Sequence, residues 1–312
     1  MSRILVSGSM AYDRIMNFGG LFKDHFLSDK LHNLNISFQV DTMAEHFGGT
    51  AGNIAYNLAL LGEKPTILSN AGSDFEKYRE HLEKTGISAE PIAIIPETFT
   101  SVAHIVTDRG DNQIAAFYMG AGEIPYKKPV EIAPRDVLIV GAGNITDMET
   151  LPRMAKKAGA SYLFDPGQAI PALSQDVLRN GVEGASVLFV NDYELAMISK
   201  KTEWSEADIS KRVGTLIVTL GAEGSRVITK EGEVRVAAVK TSEVKDPTGA
   251  GDAYRAGYIK GIALGRQPAE CAELASATAV YAVESVGTQE HTYTLADLKA
   301  RFEKTYGKML EI

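Results

Sequence analysis

The chain has 312 residues, enough for one large α/β domain with a smaller appendage or for two small domains. Its formal net charge is −8, and its Lys and Arg residues are scattered, so a nucleic-acid backbone is not an expected partner. The single cysteine, Cys271, excludes a disulfide within the chain and a cysteine-based zinc cluster. No signal peptide precedes the first apolar run and no run is long enough to span a membrane, so we expect a soluble, cytoplasmic protein.

Short apolar runs alternate with helical patterns along the chain. The predicted strands lie at residues 4–6, 66–68, 137–140, 162–164, 187–190 and 216–218. The predicted helices lie at 53–61, 75–85, 147–158 and 173–180. This alternation is typical of an α/β fold with a doubly wound, mostly parallel sheet flanked by helices. Ligands bind such sheets beyond the carboxyl ends of the strands. The polar residues predicted there are Ser9, Asp13, Asp165, Gln168, Asn191, Glu194, Thr219 and Gly221.

Two stretches alternate polar and apolar residues and do not fit that sheet. They are residues 34–40 and residues 101–117, the second with a polar turn at 108–112 that predicts a hairpin. We interpret them as a small β lid that covers the strand ends or pairs with a second copy of the chain. The resulting division is a large domain of residues 1–13, 48–92 and 121–312, and a lid of residues 14–47 and 93–120.

A first glycine cluster, Gly48-Gly49, precedes the predicted helix at 53–61. Two adjacent glycines let a ligand approach the backbone closely, and Asn53 is near enough in sequence to donate from its amide. Tight packing of the helix on the sheet explains the same pattern equally well. The cluster is not a Walker A sequence, so phosphate binding here would not be of the P-loop type.

A second cluster, Gly249-Ala250-Gly251, stands directly before Asp252 and a predicted helix over 253–264. Backbone N–H groups at a helix start carry the positive end of the helix dipole and can hold an anion. An acid placed there can take a proton from a hydroxyl that attacks a bound phosphoryl group. The alternative is a plain junction between a loop and a helix, in which the acid only favours the first turn.

A third pattern favours a different class of enzyme. A predicted strand runs into Gly141-Ala142-Gly143, and Asp165 follows about 20 residues later, which is the spacing of a dinucleotide-binding fold. The third position of that fingerprint is Thr146, where Gly or Ala should pack the helix against the strand. A dinucleotide-dependent oxidoreductase is therefore a remote alternative.

The two glycine clusters, with Asn191-Asp192-Tyr193-Glu194 between them, resemble in order the signatures of the ribokinase-like (PfkB) family of sugar and nucleoside kinases. The resemblance covers essentially the whole chain. Within the family, the chain looks most like the bacterial adenosine kinases. The stretches that carry this similarity are 8–13, 35–38, 113–121, 165–168, 252–257 and 284–290.

The resemblance implies a role for each motif residue on the acceptor side. Asp252 would be the general base on the ribose 5′-hydroxyl, and the amides of Gly249, Ala250 and Gly251 would form the anion hole. Asp13 would bind the ribose 2′- and 3′-hydroxyls, since a carboxylate can accept from both. The other residues expected to bind the nucleoside are Ser9, Ser37, Gly48, Gly49, Asn53, His104, Phe117 and Gln168. Phe117 could equally be part of the lid core.

On the donor side the resemblance implies four ATP-binding residues, which are Asn191, Thr219, Gly221 and Gly224. Glu194 would hold Mg²⁺ through water, because Mg²⁺ keeps several waters and needs few protein carboxylates. Asp246 lies where some relatives bind a monovalent cation, so the motif permits K⁺ without requiring it.

The implied activity is ATP-dependent phosphorylation of the adenosine 5′-hydroxyl to give AMP, a step of purine salvage. His104 stands where those enzymes carry an aromatic that stacks on the base, so a broader purine nucleoside kinase that accepts inosine or guanosine is an alternative. A ribokinase-type sugar kinase is another. A non-catalytic nucleoside-binding protein would have no use for Asp252. The lid strands also suggest a homodimer.

Overall fold

The computed structural model describes residues 3–26 and 36–312. Its central sheet has eight strands in the order β14-β13-β12-β11-β10-β9-β1-β4. Six of these strands run parallel to one another, namely β12, β11, β10, β9, β1 and β4. The other two, β13 and β14, are antiparallel and lie at one edge. Their bounds are β1 Ile4–Ser7, β4 Pro65–Leu68, β9 Val137–Gly141, β10 Ser161–Asp165, β11 Val187–Asn191, β12 Thr215–Thr219, β13 Ser225–Thr229 and β14 Gly232–Val236. All six predicted strands of this sheet are confirmed.

Helices cover both faces of the sheet. Their bounds are α1 Thr50–Leu60, α2 Glu76–Lys84, α3 Ile145–Ala158, α4 Gln175–Val182, α5 Asp192–Thr202, α6 Glu206–Ser210, α7 Ala250–Ala263, α8 Pro268–Val283 and α9 Leu295–Tyr306. The predicted helices agree with α1 to α4. The helix predicted at 253–264 begins three residues earlier, at Ala250, so that Asp252 lies in its first turn.

Two apolar cores lie on opposite faces of this sheet. Successive strand side chains point to opposite faces, so Ile4 and Val6 enter a core with α1, α7 and α8, while Leu5 enters a core with α3, α4 and α5. The strands are apolar on both sides because both sides are buried. Each fully buried aliphatic side chain contributes about 1.5–3 kcal/mol. The chain therefore adopts the predicted α/β fold, and the strand ends are the part of the sheet left free for a ligand.

A separate four-stranded sheet, which we call the lid sheet, has the order β3-β2-β7-β8. Its strands are β2 Ala11–Phe18, β3 Thr42–Gly48, β7 Ser101–Asp108 and β8 Gln113–Tyr118. The predicted hairpin is β7–β8, and Asp108 stabilises its turn by accepting from the backbone N–H groups of Gly110 and Asn112 at 2.8 and 2.9 Å. A third, two-stranded sheet pairs β5 Asn70–Gly72 with β6 Ala93–Ile95.

The other alternating stretch was predicted wrongly. Residues 36–40 form no strand, and residues 34–35 lie outside the described residues. Pairing with β2 begins only where the Asp41 N–H donates to the Asn17 carbonyl at 2.8 Å. Phe38 instead packs on Phe18 and Phe22, with ring centroids 4.9 and 5.2 Å away. Its apolar character reflects this aromatic cluster and not a strand.

Within the described residues, no helix combines the length and the apolar character that crossing a membrane requires.

Candidate active site

A cavity of about 730 Å³ opens at the carboxyl ends of β10, β11 and β12. The start of α7 forms its opposite wall. This is the edge of the sheet at which the sequence predicted a ligand. The predicted residues that line the cavity are Asp165, Gln168, Asn191, Glu194, Thr219, Gly221, Gly249, Gly251 and Asp252.

The first turn of α7 presents free amides to this cavity. Gly249 precedes the helix with a φ of 79°, a conformation that favours glycine. Within the described residues, the N–H groups of Gly249, Gly251 and Asp252 donate to no acceptor. The Ala250 N–H does not belong to this set, because it donates to the Pro247 carbonyl at 3.2 Å. An anion would therefore meet Asp252 N–H in place of the predicted Ala250 N–H.

Asp252 lies beside these amides, and its Oδ2 accepts a hydrogen bond from Asn53 Nδ2 at 2.8 Å. Burial raises the pKa of the Asp252 carboxyl to about 7, and the Asn53 hydrogen bond opposes that rise. The negative charges of Asp165 and Asp13 raise it further, while Arg255 lowers it. A carboxyl group with a pKa near neutrality can exchange a proton with a substrate hydroxyl.

A buried ion pair lies on the other side of Asp252. Arg255 Nε and Nη2 donate to the two carboxylate oxygens of Asp165, both at 2.9 Å, and both side chains are less than a tenth exposed. Arg255 Nη1 also donates to the Gly251 carbonyl at 3.1 Å. This bidentate geometry fixes the guanidinium in the cavity wall, next to the free amides of α7.

Asp13 is held close to the same site by the lid sheet. It stands opposite His46 in the β2–β3 register, and a Cβ at Gly48 would come within 2.5 Å of its Oδ2. A side chain at residue 48 would therefore displace the Asp13 carboxylate from this position. Burial raises the pKa of the Asp13 carboxyl, and the nearby His46 opposes the rise. Because Asp13 in turn raises the pKa of Asp252, the two carboxylates lie within electrostatic reach.

A second cavity, of about 450 Å³, lies between the lid sheet and the ends of β1 and β9. Ser9, Phe117 and Gln168 line it, and Gln168 lines the first cavity as well. Ser9 also accepts from the Thr50 N–H at 3.1 Å, which ties the start of α1 to the cavity wall. Asp147 and Asn144 of the loop and helix after β9 supply polar groups to it.

Six of the nine predicted nucleoside-binding residues line neither cavity. Asn53 contacts Asp252 and Asp13 lies within its electrostatic reach, with Gly48 and Gly49 beside Asp13, whereas His104 and Ser37 lie away from this site. The β7 register places His104 opposite Arg14 and Ala116, which share one face of the lid sheet. Asp13 and Phe117 lie on the other face, opposite Ala103. Ser37 is exposed in the stretch before β3. The sequence does not specify the register of β7 against β2. In the structure this register places Ala103, and not His104, on the lid face that carries Asp13.

The Asn191-x-x-Glu194 spacing forms a capping box at the start of α5. Asn191 Oδ1 accepts from the Glu194 N–H at 2.7 Å, and Glu194 Oε2 accepts from the Asn191 N–H at 2.8 Å. Burial raises the pKa of the Glu194 carboxyl. Both residues also line the first cavity, so they cap α5 and can contact a ligand as well.

Only part of the loop after β12, which the sequence predicted to bind ATP, reaches the first cavity. Thr219 and Gly221 line the first cavity, whereas Gly224 packs against β14, where a Cβ would come within 2.0 Å of the Val236 carbonyl. Gly224 is therefore required by the turn and does not line the cavity.

Asp246 organises the loop before α7. It accepts from the Thr248 N–H at 2.9 Å and from the Gly287 N–H at 3.1 Å. Burial raises the pKa of this carboxyl, but these hydrogen bonds outweigh it and leave the pKa below its usual value. The carboxylate joins the second glycine motif to residues 284–287, the late stretch noted in the sequence.

Three residues at the site were not assigned roles from the sequence. Arg255 follows Asp252 by one helical turn, and this spacing on one helix face could have identified it. His46 is adjacent to Asp13 only through strand register. Gln289 reaches Asn53 from a distant loop, and its Nε2 donates to Asn53 Oδ1 at 2.9 Å. No local sequence signal predicts the last two contacts.

Comparison with known proteins agrees with this geometry. The pfkB family carbohydrate kinase domain matches residues 1–294. A nucleoside kinase of Methanocaldococcus jannaschii is 33% identical over 312 residues, covering 97% of this chain and 98% of its own length. The structure of Burkholderia thailandensis nucleoside kinase in complex with inosine has a TM-score of 0.85 at 36% identity and covers 98% of both chains. Its complex with ADP-inosine has a TM-score of 0.82 at 37% identity, covering 99% of this chain and 97% of that chain.

The predicted family is therefore confirmed. The comparisons support a kinase and not an oxidoreductase or a non-catalytic nucleoside-binding protein. The chain belongs to the pfkB family of carbohydrate kinases, which transfer a phosphoryl group to an alcohol.

Proposed function

We propose that this kinase transfers the γ-phosphoryl group of ATP to the 5′-hydroxyl of purine nucleosides, with adenosine and inosine both accepted. The observation that carries the proposal is the pair of cavities that share Gln168, the first of which is also lined by Asp252. One has the free amides and charged groups that suit a triphosphate. The other has an apolar wall that suits a base, which a ribose would leave empty. The related nucleoside kinases support the same substrate class.

In the proposed mechanism, Asp252 accepts the proton of the 5′-hydroxyl as that oxygen attacks the γ-phosphorus. Phosphoryl transfer depends mostly on positioning and on stabilising charge, so a carboxylate suffices as the base. The free N–H groups of Gly249, Gly251 and Asp252 face the transferring group and hold its oxygens. Arg255, fixed by Asp165, adds a positive charge to the same wall.

Asp13 holds the ribose in this mechanism. Its carboxylate can accept from the 2′- and 3′-hydroxyls together. Gly48 leaves the space that this carboxylate occupies, whereas Gly49 is needed for the close approach of the Ser9–Ala11 backbone. Asn53 is held at the Asp252 carboxylate by its 2.8 Å hydrogen bond and leaves the other carboxylate oxygen for the 5′-hydroxyl. The purine then extends into the second cavity, against Phe117 and near Gln168 and Ser9.

The donor side suits Mg-ATP. Among residues 3–26 and 36–312 no group of three or more His, Cys, Asp or Glu side chains converges as a metal site. Glu194 nevertheless presents a carboxylate to the phosphate cavity, and only its Oε2 is engaged in the capping box. This fits an ion held mainly by water and phosphate oxygens, with Glu194 as the nearest protein group. When bound, Mg²⁺ neutralises charge on the phosphates.

Three further parts of the proposal are secondary. Asp246 and the 284–287 loop are the place for a monovalent cation if one is used. The exposed Ile114 and Tyr118, on the lid face opposite Phe117, are the place for a homodimer contact. The reaction would serve purine salvage in the cytoplasm.

A panel of acceptors tests the proposal. ATP turnover is measured with adenosine, inosine, guanosine, cytidine, ribose and fructose 6-phosphate under identical conditions. We expect the purine nucleosides to give the highest kcat/KM, because only they fill the second cavity while placing a 5′-hydroxyl at Asp252. Turnover on ribose alone would replace the proposal with a sugar kinase, for which the second cavity would have no use.

A further inference from the structure

A chain of buried hydrogen bonds leads away from Asp252 on the side opposite the cavity. Asn53 Nδ2 donates to Asp252, Gln289 Nε2 donates to Asn53 Oδ1 at 2.9 Å, and Gln289 Nε2 also donates to the Tyr78 hydroxyl at 2.6 Å. His81 Nε2 lies 3.0 Å from Gln289 Oε1. The side chains of Asn53, Gln289 and Tyr78 are no more than 4% exposed, so water does not compete with these contacts.

The donor and the acceptor of each hydrogen bond in this series can be determined. The Tyr78 hydroxyl donates to the Gly48 carbonyl at 2.8 Å, so it must accept from Gln289. Gln289 Oε1 can only accept, so His81 must carry its proton on Nε2. With both ends of the Gln289 amide assigned, its NH2 group faces Asn53 Oδ1. The Asn53 NH2 group is then left to face the carboxylate of Asp252.

The reverse orientation of the Asn53 amide would be unfavourable at both ends. Its oxygen would face the Asp252 carboxylate, and its NH2 group would face the NH2 group of Gln289. The backbone carbonyl of Asn53 also accepts from Asn57 Nδ2 at 2.9 Å, so the residue is anchored from the next turn of α1 as well. The orientation of Asn53 is thus determined by its neighbours and not by the ligand.

We propose that Gln289 is a positioning residue for phosphoryl transfer, which, held by Tyr78 and His81, keeps the NH2 group of Asn53 directed at the Asp252 carboxylate. This inference rests on the proposed role of Asp252 as the base. It gives a function to the late 284–290 stretch, which lies over 30 residues beyond the catalytic motif in sequence.

The chemical consequence follows from the direction of the Asn53 bond. A donor to a carboxylate stabilises its ionised form, so Asn53 holds the pKa of Asp252 below the value that burial alone would set. The other charged groups near Asp252 are Asp13 and Asp165, which raise the pKa, and Arg255, which lowers it. Losing Gln289 frees Asn53 to rotate, so Asp252 should become harder to ionise.

Two matched substitutions of tyrosine separate this role from a general packing role. Tyr78→Phe removes a buried hydroxyl that belongs to the chain. Tyr162→Phe removes a buried hydroxyl on β10 that donates to the Glu183 carbonyl at 2.7 Å and lies outside the chain. Both lose one hydrogen bond to a backbone carbonyl and both keep the ring. Gln289→Met keeps the length of the side chain and removes all of its hydrogen bonds.

The experiment follows the titration of Asp252 in the full chain labelled with [γ-¹³C]aspartate, with Asp252→Asn identifying its signal. We expect Gln289→Met to raise the pKa of Asp252 by about half to one pH unit and to lower kcat at pH 7 about two- to fivefold, as the ionised fraction of Asp252 falls. Tyr78→Phe should give a smaller change in the same direction. Tyr162→Phe should match the wild type in both measurements.

An unchanged Asp252 titration in both Gln289→Met and Tyr78→Phe would overturn the inference, as would an equal change in Tyr162→Phe. If Gln289→Met does not fold, the comparison of Tyr78→Phe with Tyr162→Phe decides alone. The titration needs no substrate, so it is independent of the acceptor panel. A chain that turned over no nucleoside but still showed the titration change would refute the proposed function and leave the positioning of Asp252 intact.

Discussion

The start of α7 and the lid sheet differ in how firmly their site residues are held. Around α7, Asn53 is hydrogen-bonded to Asp252 at 2.8 Å, and Arg255 is separately hydrogen-bonded to Asp165 at 2.9 Å. On the lid sheet, Phe117 is 55% exposed on β8, and every residue of that strand is exposed. The hydrogen bonds around the start of α7 are formed without a ligand, while β8 of the lid sheet stays exposed.

In the proposed mechanism, the groups around α7 carry out phosphoryl transfer and the exposed lid surface selects the nucleoside base. Groups that must stabilise charge work best when they are already oriented, because reorganising them would cost energy during the reaction. An open apolar surface can instead accommodate more than one base. We therefore expect substitutions near α7 to lower kcat and substitutions on the lid to raise KM, and the predictions below test that division from the largest effect to the smallest.

Asp252→Asn should lower kcat at least a hundredfold, since the amide cannot accept the proton of the attacking hydroxyl. Nucleoside affinity, measured by calorimetry, should change less than about threefold, because the Asn53 contact can be kept by an amide oxygen. Near-normal turnover in this variant would remove Asp252 from the role of base.

Arg255→Lys should lower kcat about ten- to a hundredfold, because lysine keeps the charge but cannot form the bidentate pair with Asp165. Lys260→Met is a matched control on the same helix. It breaks a largely buried ion pair with Glu63, whose atoms are 2.7 Å apart, away from both cavities. Steady-state kinetics of Lys260→Met should give normal kcat even if its Tm falls, and an equal loss of kcat in both variants would show that Arg255 acts only through stability.

The pH dependence of kcat/KM should show an acid limb near pH 7. With the pKa of Asp252 raised to about 7 in the free enzyme, the protonated and inactive form grows as the pH falls below that value. The value of kcat/KM should then drop about tenfold per pH unit towards pH 5. A profile that stays flat from pH 5 to 8 would contradict the environment assigned to Asp252.

Phe117→Ala should raise the KM for purine nucleosides about tenfold and change kcat little, because it removes an apolar wall of the second cavity. His104→Ala and Ile114→Ala are the matched controls. Both side chains lie on the other face of the lid sheet, so neither should change KM more than about twofold. A loss confined to His104→Ala would restore the assignment that the sequence suggested for the base.

Asp252→Asn should also stabilise the protein slightly at pH 8. The pKa of Asp252 is raised in the folded chain from 3.8 to about 7, so its ionisation disfavours the folded state increasingly between pH 4 and pH 7 and fully above pH 7. Removing that cost should raise Tm by roughly 2–4 °C at pH 8 and by almost nothing at pH 4. Scanning calorimetry at the two pH values checks both the size and the sign.

The two regions also differ in how well the sequence predicts them. The strands of the central sheet and the start of α7 follow from local patterns, since apolar runs mark buried strands and the Gly-Ala-Gly turn marks the helix start. Capping by Asn191 and Glu194 is likewise a local pattern. These features need no knowledge of distant contacts, and they place Asp252, Asn191 and Glu194 at one edge of the sheet.

The lid and the buried network depend on contacts between distant residues. A shift of one residue in the register of β7 decides whether His104 or Ala103 faces the site, and the sequence alone does not specify that register. Gln289 meets Asn53 across 236 positions of sequence. The resemblance implies that the Ala250 amide belongs to the anion hole, whereas in the structure this amide donates to the Pro247 carbonyl at the start of α7.

The most direct test of the account compares adenosine with 5′-deoxyadenosine, which fills the same cavities but lacks the acceptor hydroxyl. ADP formation and the ³¹P spectrum of the products are recorded for both under saturating Mg-ATP. The account predicts that adenosine gives ADP and a 5′-monophosphate in equal amounts, while 5′-deoxyadenosine gives neither. No turnover with adenosine, or a product phosphorylated at another position, would contradict the placement of the 5′-hydroxyl at Asp252.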